Sequence, residues 1–365
     1  LNNLYEKFKK IFKGWHEKKI VLLFLTTGSA VILAGIPKEL WIFPIANAIF
    51  HTDFESSVEE INYLFLFITT AIGLTLMVLG IWFYFKTREK IKKLNMIQIR
   101  HSSIESIGFS KINNDMSDYN VEVYTINQVE EFKNLNKSNL YHALREQEKQ
   151  VQKVLSRIDD SSDVEVSYFG LAHIPVIMLL GYQMADKASV SFYEWDQNKL
   201  IWEGIQENTK RFPPLLEKED TTIQPIEETR EVVIKIGLTY SIPNSDLAGL
   251  NLEGLNWFYL HLEPTHRNAI ISKEQLNTYK QQFRQLLDKI NQMYPHLKRI
   301  HLFYSGQPSL AYRLGSAITE RMDKEIFVYN HVSSSYPKYN WKINLKKVGQ
   351  PISVGIIGDD VNGNV

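Results

Sequence analysis

Two stretches far apart in this chain repeat one local order: strand, short turn with Gly and Pro, helix, strand. The later one is the sharper. Arg299-Ile-His-Leu-Phe-Tyr304 reads as a buried strand and Ser305-Gly306-Gln307-Pro308 as a tight turn. From Ser309 onward Leu310, Ala311, Leu314 and Ile318 recur at helical spacing, and Ile326-Phe-Val-Tyr329 reads as the last strand of its sheet. The earlier stretch runs through the strand Val164–Phe169, the turn Gly170–Pro175, the helix Val176–Met184 and the strand Ser189–Trp195. Phe169-Gly170 matches Tyr304-Ser305-Gly306, Gly181 matches Gly315, Asp186-Lys187 matches Asp323-Lys324, and Tyr193 matches Tyr329. Two origins fit this match, a duplicated α/β unit whose corners face one crevice, or a coincidence among α/β repeats. Such a corner suits phosphate, because a helix N-terminus offers unpaired N–H groups and partial positive charge.

Before residue 87 the chain has a different character. Leu4, Tyr5, Phe8, Ile11, Phe12 and Trp15 share one helical face, with lysines on the other, as in a helix lying on a membrane surface over 1–19. Ile20–Ile36 carries no charge, and Tyr63–Phe85 carries none and is flanked by Tyr63, Trp82 and Tyr84. This predicts a two-span hairpin over 20–86, with spans at about 20–40 and 63–85. Lysine and arginine gather before the first span and after the second, whereas the connecting loop has Lys38 as its single basic residue. Both chain ends are therefore expected on the cytoplasmic side of the membrane. Gly28, Gly73 and Gly80 permit close helix contact. The hydroxyls of Thr26, Thr27, Thr69, Thr70 and Thr75 either bond to their own helix or face other helices or a lumen.

Past the hairpin, 87–99 reads as a connecting helix and 213–230, rich in Pro and acid, as a linker. Val121–Ile126, Glu231–Tyr240 and Trp257–Leu262 read as strands, and Leu140–Ile158 and Lys273–Met293 as helices. The chain has no cysteine, which excludes disulfides and thiolate chemistry. Its zero net charge gives no reason to expect a DNA or RNA polymer as partner. No Walker loop, nucleophile elbow or metal-ligand spacing appears, so neither catalysis nor a metal or other cofactor is expected. Tyr304, Tyr312, Tyr329, Tyr336, Tyr339 and Trp195 either stack on bases or pack the core. Arg313 reads as a phosphate contact or a solvated arginine, and His173 as a donor to ligand or a capping or buried residue.

The region from about 100 to 350 resembles a SAVED domain. The resemblance rests on Pro175-Val-Ile-Met-Leu-Leu-Gly181, Ser191-Phe-Tyr-Glu-Trp195, Trp202, Ile300 through Ala311 to Gly315, Val328-Tyr329 and Tyr339. It implies an α/β fold of two fused CARF-like Rossmann units, here behind a transmembrane hairpin and followed by a tail over 351–365. It also implies a sensor of a cyclic di- or trinucleotide in anti-phage systems of the CBASS type. Ligand would drive head-to-tail self-association, and the hairpins would then disrupt the lipid bilayer. Under that resemblance Ser305, Gly306, Gln307 and Ser309 are expected as donors to phosphate from one corner, and Gly170 and His173 from the other. Arg313 is a further phosphate candidate, and Tyr329 and Trp195 are candidates for the bases. A membrane-anchored ring nuclease and a passive tethered sensor are the rival readings.

Overall fold

The structure, a computed structural model, describes residues 17–36, 63–91, 94–105, 108–109, 112, 119–160, 164–185, 187–207, 211–345 and 353–357. The chain divides into two compact units, Leu1–Lys93 and Leu94–Val365. The expected surface helix falls almost wholly on residues outside the described ones.

In the first unit, helix α1 (Glu17–Gly35) and helix α2 (Tyr63–Ile91) pack on each other. A Cβ on Gly28 would lie 2.8 Å from the Gly73 carbonyl oxygen, and one on Gly73 2.6 Å from that of Gly28, so the small residues serve the contact within the pair. Thr26, Ser29, Thr69 and Thr75 each donate to a carbonyl one helical turn back. Phe67 (73 % exposed), Ile72 and Val78 point away from the partner helix. Among the described residues, no helix is long and apolar enough to cross a membrane, so the two expected spans find no support there.

The second unit contains two sheets built to one plan. The first has strands β1 (Leu94–Ser102), β2 (Tyr119–Asn127), β3 (Val164–Leu171), β4 (Val190–Asp196) and β5 (Ile201–Gly204), in the order β2-β1-β3-β4-β5. The second has β6 (Leu216–Asp220), β7 (Glu231–Gly237), β8 (Asn256–His261), β9 (Arg299–Ser305), β10 (Glu325–His331), β11 (Tyr339–Asn344) and β12 (Val354–Ile356), in the order β12-β11-β10-β9-β7-β8-β6. The series β8-β7-β9-β10-β11 repeats the first sheet strand for strand. In each, four strands run parallel and the last, β5 or β11, is antiparallel. This is the duplicated α/β arrangement read from the two matched stretches.

The helices follow the same plan. Helix α3 (Val129–Lys133) is short. Helix α4 (Lys137–Asp159) is capped by Asn136, whose side chain accepts from the Asn139 N–H, and it buries Leu140, Leu144, Val151 and Val154 on one face. Helix α6 (Lys273–Met293) is capped by Ser272 and buries Leu276, Tyr279, Phe283, Leu286 and Ile290. These stripes at helical spacing lay both helices against the core. Helix α5 (Ile174–Met184) and helix α7 (Pro308–Ala317) are buried along nearly their whole length and pack on each other. Their contact joins the two halves in one continuous hydrophobic core.

Several expectations are corrected. Helix α2 ends at Ile91, and Leu94–Ser102 is strand β1, not the end of a connecting helix over 87–99. The strand wins because β2 and β3 pair with it on both sides and Met96, Ile97 and Ile99 are buried. The acidic stretch placed in a linker contains strand β6, which pairs with β8; its charges suit an edge, where they discourage further pairing. Strand β10, expected to close its sheet at Ile326–Tyr329, is followed by β11 and β12, which pair beyond it and extend the sheet.

At the start of β7, Glu231 accepts from His301 Nε2 (2.9 Å) and from Arg299 (3.0 Å). Those contacts, His301 first, hold the Glu231 carboxyl down at about 2. Because its folded-state pKa lies below the unfolded one, the contribution is present above about pH 4.5 and fades as pH falls toward 2. Denaturant midpoints measured from pH 6 to pH 3 should therefore fall less for Glu231→Gln than for the unaltered protein. Parallel curves would show that this contact adds nothing.

Candidate functional site

Both matched corners are made by a tyrosine that turns back beneath a glycine. A Cβ on Gly170 would lie 2.3 Å from the Tyr168 hydroxyl, and one on Gly306 2.4 Å from the Tyr304 hydroxyl. The structural equivalence therefore runs Tyr168-x-Gly170 to Tyr304-x-Gly306, one residue away from the match read in the sequence. The Tyr304 hydroxyl donates to the Gln307 carbonyl (2.8 Å), and that of Tyr168 pairs with His101 Nδ1 (3.1 Å). Burial raises both phenols well above their ordinary range, so they stay protonated and fix the turns.

The corners meet at one cleft of about 320 Å³. The first half lines it with Gly170, Leu171 and Glu194 to Asn198, and the second with Thr239, Arg267, Asn268 and Gly306 to Pro308. A neighbouring hollow of about 340 Å³ shares Glu194, Trp195, Asp196, Asn268 and Gln307 with it and reaches Ile271. The cleft lies beyond the carboxyl ends of β3, β4 and β9, where open α/β sheets place their ligands. Gly170, Trp195, Gly306 and Gln307 thus line one cleft.

The other candidates are placed differently. Ser305 is half-buried and ties down the chain after β7: its Oγ accepts from the Tyr240 N–H (3.1 Å) and its carbonyl from Leu238 (2.7 Å). His173 precedes α5, contacts Ser103 Oγ (2.7 Å) and stacks on Phe132 at 4.6 Å; burial lowers it to about 4, which keeps it neutral. Arg313 lies over the Phe192 ring at 5.1 Å. Tyr329 is 3 % exposed, bonds His301 Nδ1 (2.8 Å) and stacks on Phe303 at 4.5 Å, on the loop-covered side of the second sheet. None of these four lines the cleft. Tyr304, Tyr312 and Tyr339 are buried as well, whereas Tyr336 is exposed. Trp195 is the indole at the cleft, half-buried with its ring 5.4 Å from that of Trp202.

The cleft's charged residues carry no local motif in the sequence. Arg267 is the one cation among its described lining residues, with Nε donating to the Tyr240 hydroxyl at 2.8 Å. Against it stand Glu194 and Asp196. Asp196 is held below its ordinary value, first by the Lys199 N–H and also by that of Asn198. Glu194 reaches across to the second half, where its Oε1 accepts from the Ser309 N–H (2.9 Å) at the first turn of α7. Burial pushes its carboxyl up to about 7, against the hydrogen-bonding help of Ser309. The helix N-terminus expected to hold phosphate is thus engaged by a carboxylate. Gln307, the residue before α7, gives the helix no side-chain cap; its Oε1 instead accepts from the Ile270 N–H (2.5 Å). Among the described residues no group of His, Asp and Glu is placed to hold a metal ion. Chemically, the cleft offers one guanidinium to an anion, and carboxylate and amide oxygens to the N–H edges of bases.

Residues 147–345 match the family model described as the SMODS-associated and fused to various effectors sensor domain, SAVED. A search of curated proteins gives no match. Among solved structures, the chain is similar to the Acinetobacter baumannii Cap4 SAVED/CARF-domain containing receptor with the cyclic trinucleotide 3'3'3'-cAAA, at 14% identity and a TM-score of 0.46, over 77% of this chain and 61% of that chain. It is also similar to the Moraxella osloensis Cap4 SAVED/CARF-domain containing receptor, at 14% identity and a TM-score of 0.41, over 76% of this chain and 60% of that one. The chain therefore spans about three fifths of the length of these receptors. With its family segment covering more than half of its length, the chain belongs to the SAVED sensor-domain family.

Proposed function

We propose that this protein is a receptor for a cyclic di- or trinucleotide that signals infection, and that it acts on the bacterial inner membrane through its helical hairpin. The reading rests above all on the cleft, where the two Tyr-x-Gly corners of a duplicated sensor domain meet. A cyclic oligonucleotide is itself a repeat of phosphate and base, and a cleft with equivalent corners on two sides suits such a ligand. The Cap4 receptors named above supply the ligand class by analogy. Trp195 offers a stacking surface, and Arg267 with the backbone of Gly306 and Gln307 offers contacts to phosphate.

The membrane part rests on composition. Tyr63–Phe85 has no charged residue, and α2 exposes Phe67, Ile72, Val78 and Phe85. An apolar surface of this kind needs a non-aqueous partner, and the basic flanks put both ends in the cytoplasm. Ligand-driven self-association would gather the hairpins and breach the bilayer, with no chemical step on the ligand.

The test is reconstitution of the full chain in lipid vesicles loaded with a fluorescent dye, challenged with cyclic di- and trinucleotides. At least one should bind, increase the oligomer size and release dye, and a chain lacking residues 17–91 should bind it and release none. Dye release without the hairpin would exclude the membrane mechanism. Conversion of the ligand to linear product would favour a ring nuclease, and binding without release a passive sensor.

A further inference from the structure

Helix α7 begins at the cleft without a side-chain cap of its own, and what meets its first turn comes from the opposite half. Glu194 Oε1 accepts from the Ser309 N–H at 2.9 Å. A second feature marks the same spot. Ser309 is 1 % exposed, and its hydroxyl, close enough to the Glu194 carboxyl to favour the charged form, completes no hydrogen bond of its own. A buried hydroxyl with a free lone pair and a proton to give is costly to leave unmatched. The position therefore suits an anion with more acceptor oxygens than a single carboxylate oxygen presents there. A phosphate diester has that excess and would take both the Ser309 N–H and its hydroxyl.

Resting on the nucleotide-receptor reading above, we infer that Glu194 is a built-in stand-in for ligand phosphate: it latches the first half to helix α7 in the free protein, and the phosphodiester of the ligand displaces it. Glu194 lines both hollows, so its carboxylate lies where an incoming anion must compete with it. Displacement breaks a contact between the halves, next to the crossing of α5 and α7. Ligand occupancy thereby becomes a change in how the two halves are held. The latch also opposes weak or adventitious anions, which lack the further contacts needed to replace it.

The experiment measures binding of a panel of cyclic di- and trinucleotides, 3'3'3'-cAAA among them, by calorimetry to the full chain and to Glu194→Ala, Glu194→Gln and Asp196→Asn. Amide hydrogen exchange over α7 is measured on the same four proteins without ligand. Glu194→Ala should bind the best panel member about tenfold tighter, the size of one charge-assisted hydrogen bond, and should speed exchange at the Ser309 amide by a similar factor. Glu194→Gln, which keeps an acceptor oxygen but no charge, should fall between. Asp196→Asn removes the same charge from the same cleft and should leave exchange at Ser309 unchanged, which separates a contact from a general field. Equal or weaker binding by Glu194→Ala, or unaltered exchange, overturns the latch while leaving the receptor reading intact. If neither the unaltered chain nor Glu194→Ala binds any member, the receptor reading falls and the latch falls with it. Thermal melts of each variant identify any that fail to fold, and Glu194→Gln then carries the comparison.

Discussion

Alanine at Gly181 or at Gly315 should each destabilise the protein by about 3 kcal/mol, the upper end of what overpacking a core costs. The two glycines sit where α5 and α7 cross, in reciprocal positions. A Cβ on Gly181 would lie 2.0 Å from the Tyr312 carbonyl oxygen, and one on Gly315 2.0 Å from that of Met178. Each glycine thus faces the backbone three residues before the other. Backbone on backbone leaves no flexible side chain to yield, so the helices must separate. Helix propensity works in the opposite direction, since alanine in a helix interior gains about 1 kcal/mol over glycine. The prediction is that sterics win by a clear margin. Both helices begin at the corner loops, so separating them also widens the cleft, and ligand affinity should fall along with the melting temperature. The double variant should cost less than the sum of the two, because the first substitution already opens the crossing. Gly254, with nothing within 4 Å of its would-be Cβ, is the comparison site, where alanine should shift the melt little. A melt for Gly181→Ala no lower than that of Gly254→Ala would show that the crossing is not close-packed as described.

The duplicated plan is visible in the sequence because its signals are local. Helix α6 has its cap and apolar stripe within its own residues, and its bounds match the expected Lys273–Met293. The corner at Ser305–Pro308 follows from Gly306 and Pro308. The Tyr-x-Gly repeat is also present in the sequence, at Tyr168 and Tyr304, and sets the match in the register the structure shows. What escapes a reading of the sequence depends on partners distant along the chain. Strand β1 follows a basic helical run, and only its pairing with β2 and β3 decides that it is extended. Strand β6 looks like a linker because an edge strand tolerates charge. Glu194 is a lone acid between Tyr193 and Trp195, and its importance lies in the N–H of Ser309 on the other half. Conversely, Ser305, His173 and Tyr329 have polar groups suited to a ligand, yet each is engaged by neighbours whose positions only the fold reveals.

Arg284→Met should cost about 3–5 kcal/mol at pH 7, as expected when a buried ion pair loses one member. Asp323 is fully buried, and Arg284 grips it with two hydrogen bonds, Nη1 to Oδ2 at 2.6 Å and Nη2 to Oδ1 at 2.5 Å. The Thr319 N–H (2.7 Å) and Asn291 (3.2 Å) also donate to this carboxylate. Arg284 further bonds the Ala317 carbonyl at the end of α7 (3.0 Å), so the network fastens α6 to the turn that leads from α7 into β10. Burial alone would raise the Asp323 carboxyl; the hydrogen bonds, led by Arg284, outweigh it and hold the group below its ordinary value. With a lowered folded-state pKa, its contribution is present above about pH 4 and is lost on acidification. Without Arg284 the balance reverses and burial raises the group, so the variant's folded state takes up a proton more readily than its unfolded state. The stability gap between the two proteins should therefore be widest near pH 7 and narrow toward pH 4. Arg284→Met combined with Asp323→Leu, which removes the orphaned charge, should recover most of the loss. Denaturant titrations at pH 7, 5.5 and 4 decide the matter: a gap that stays constant with pH, or a double variant no better than Arg284→Met, would mean that packing around Arg284, and not its charge on Asp323, holds this end of α7.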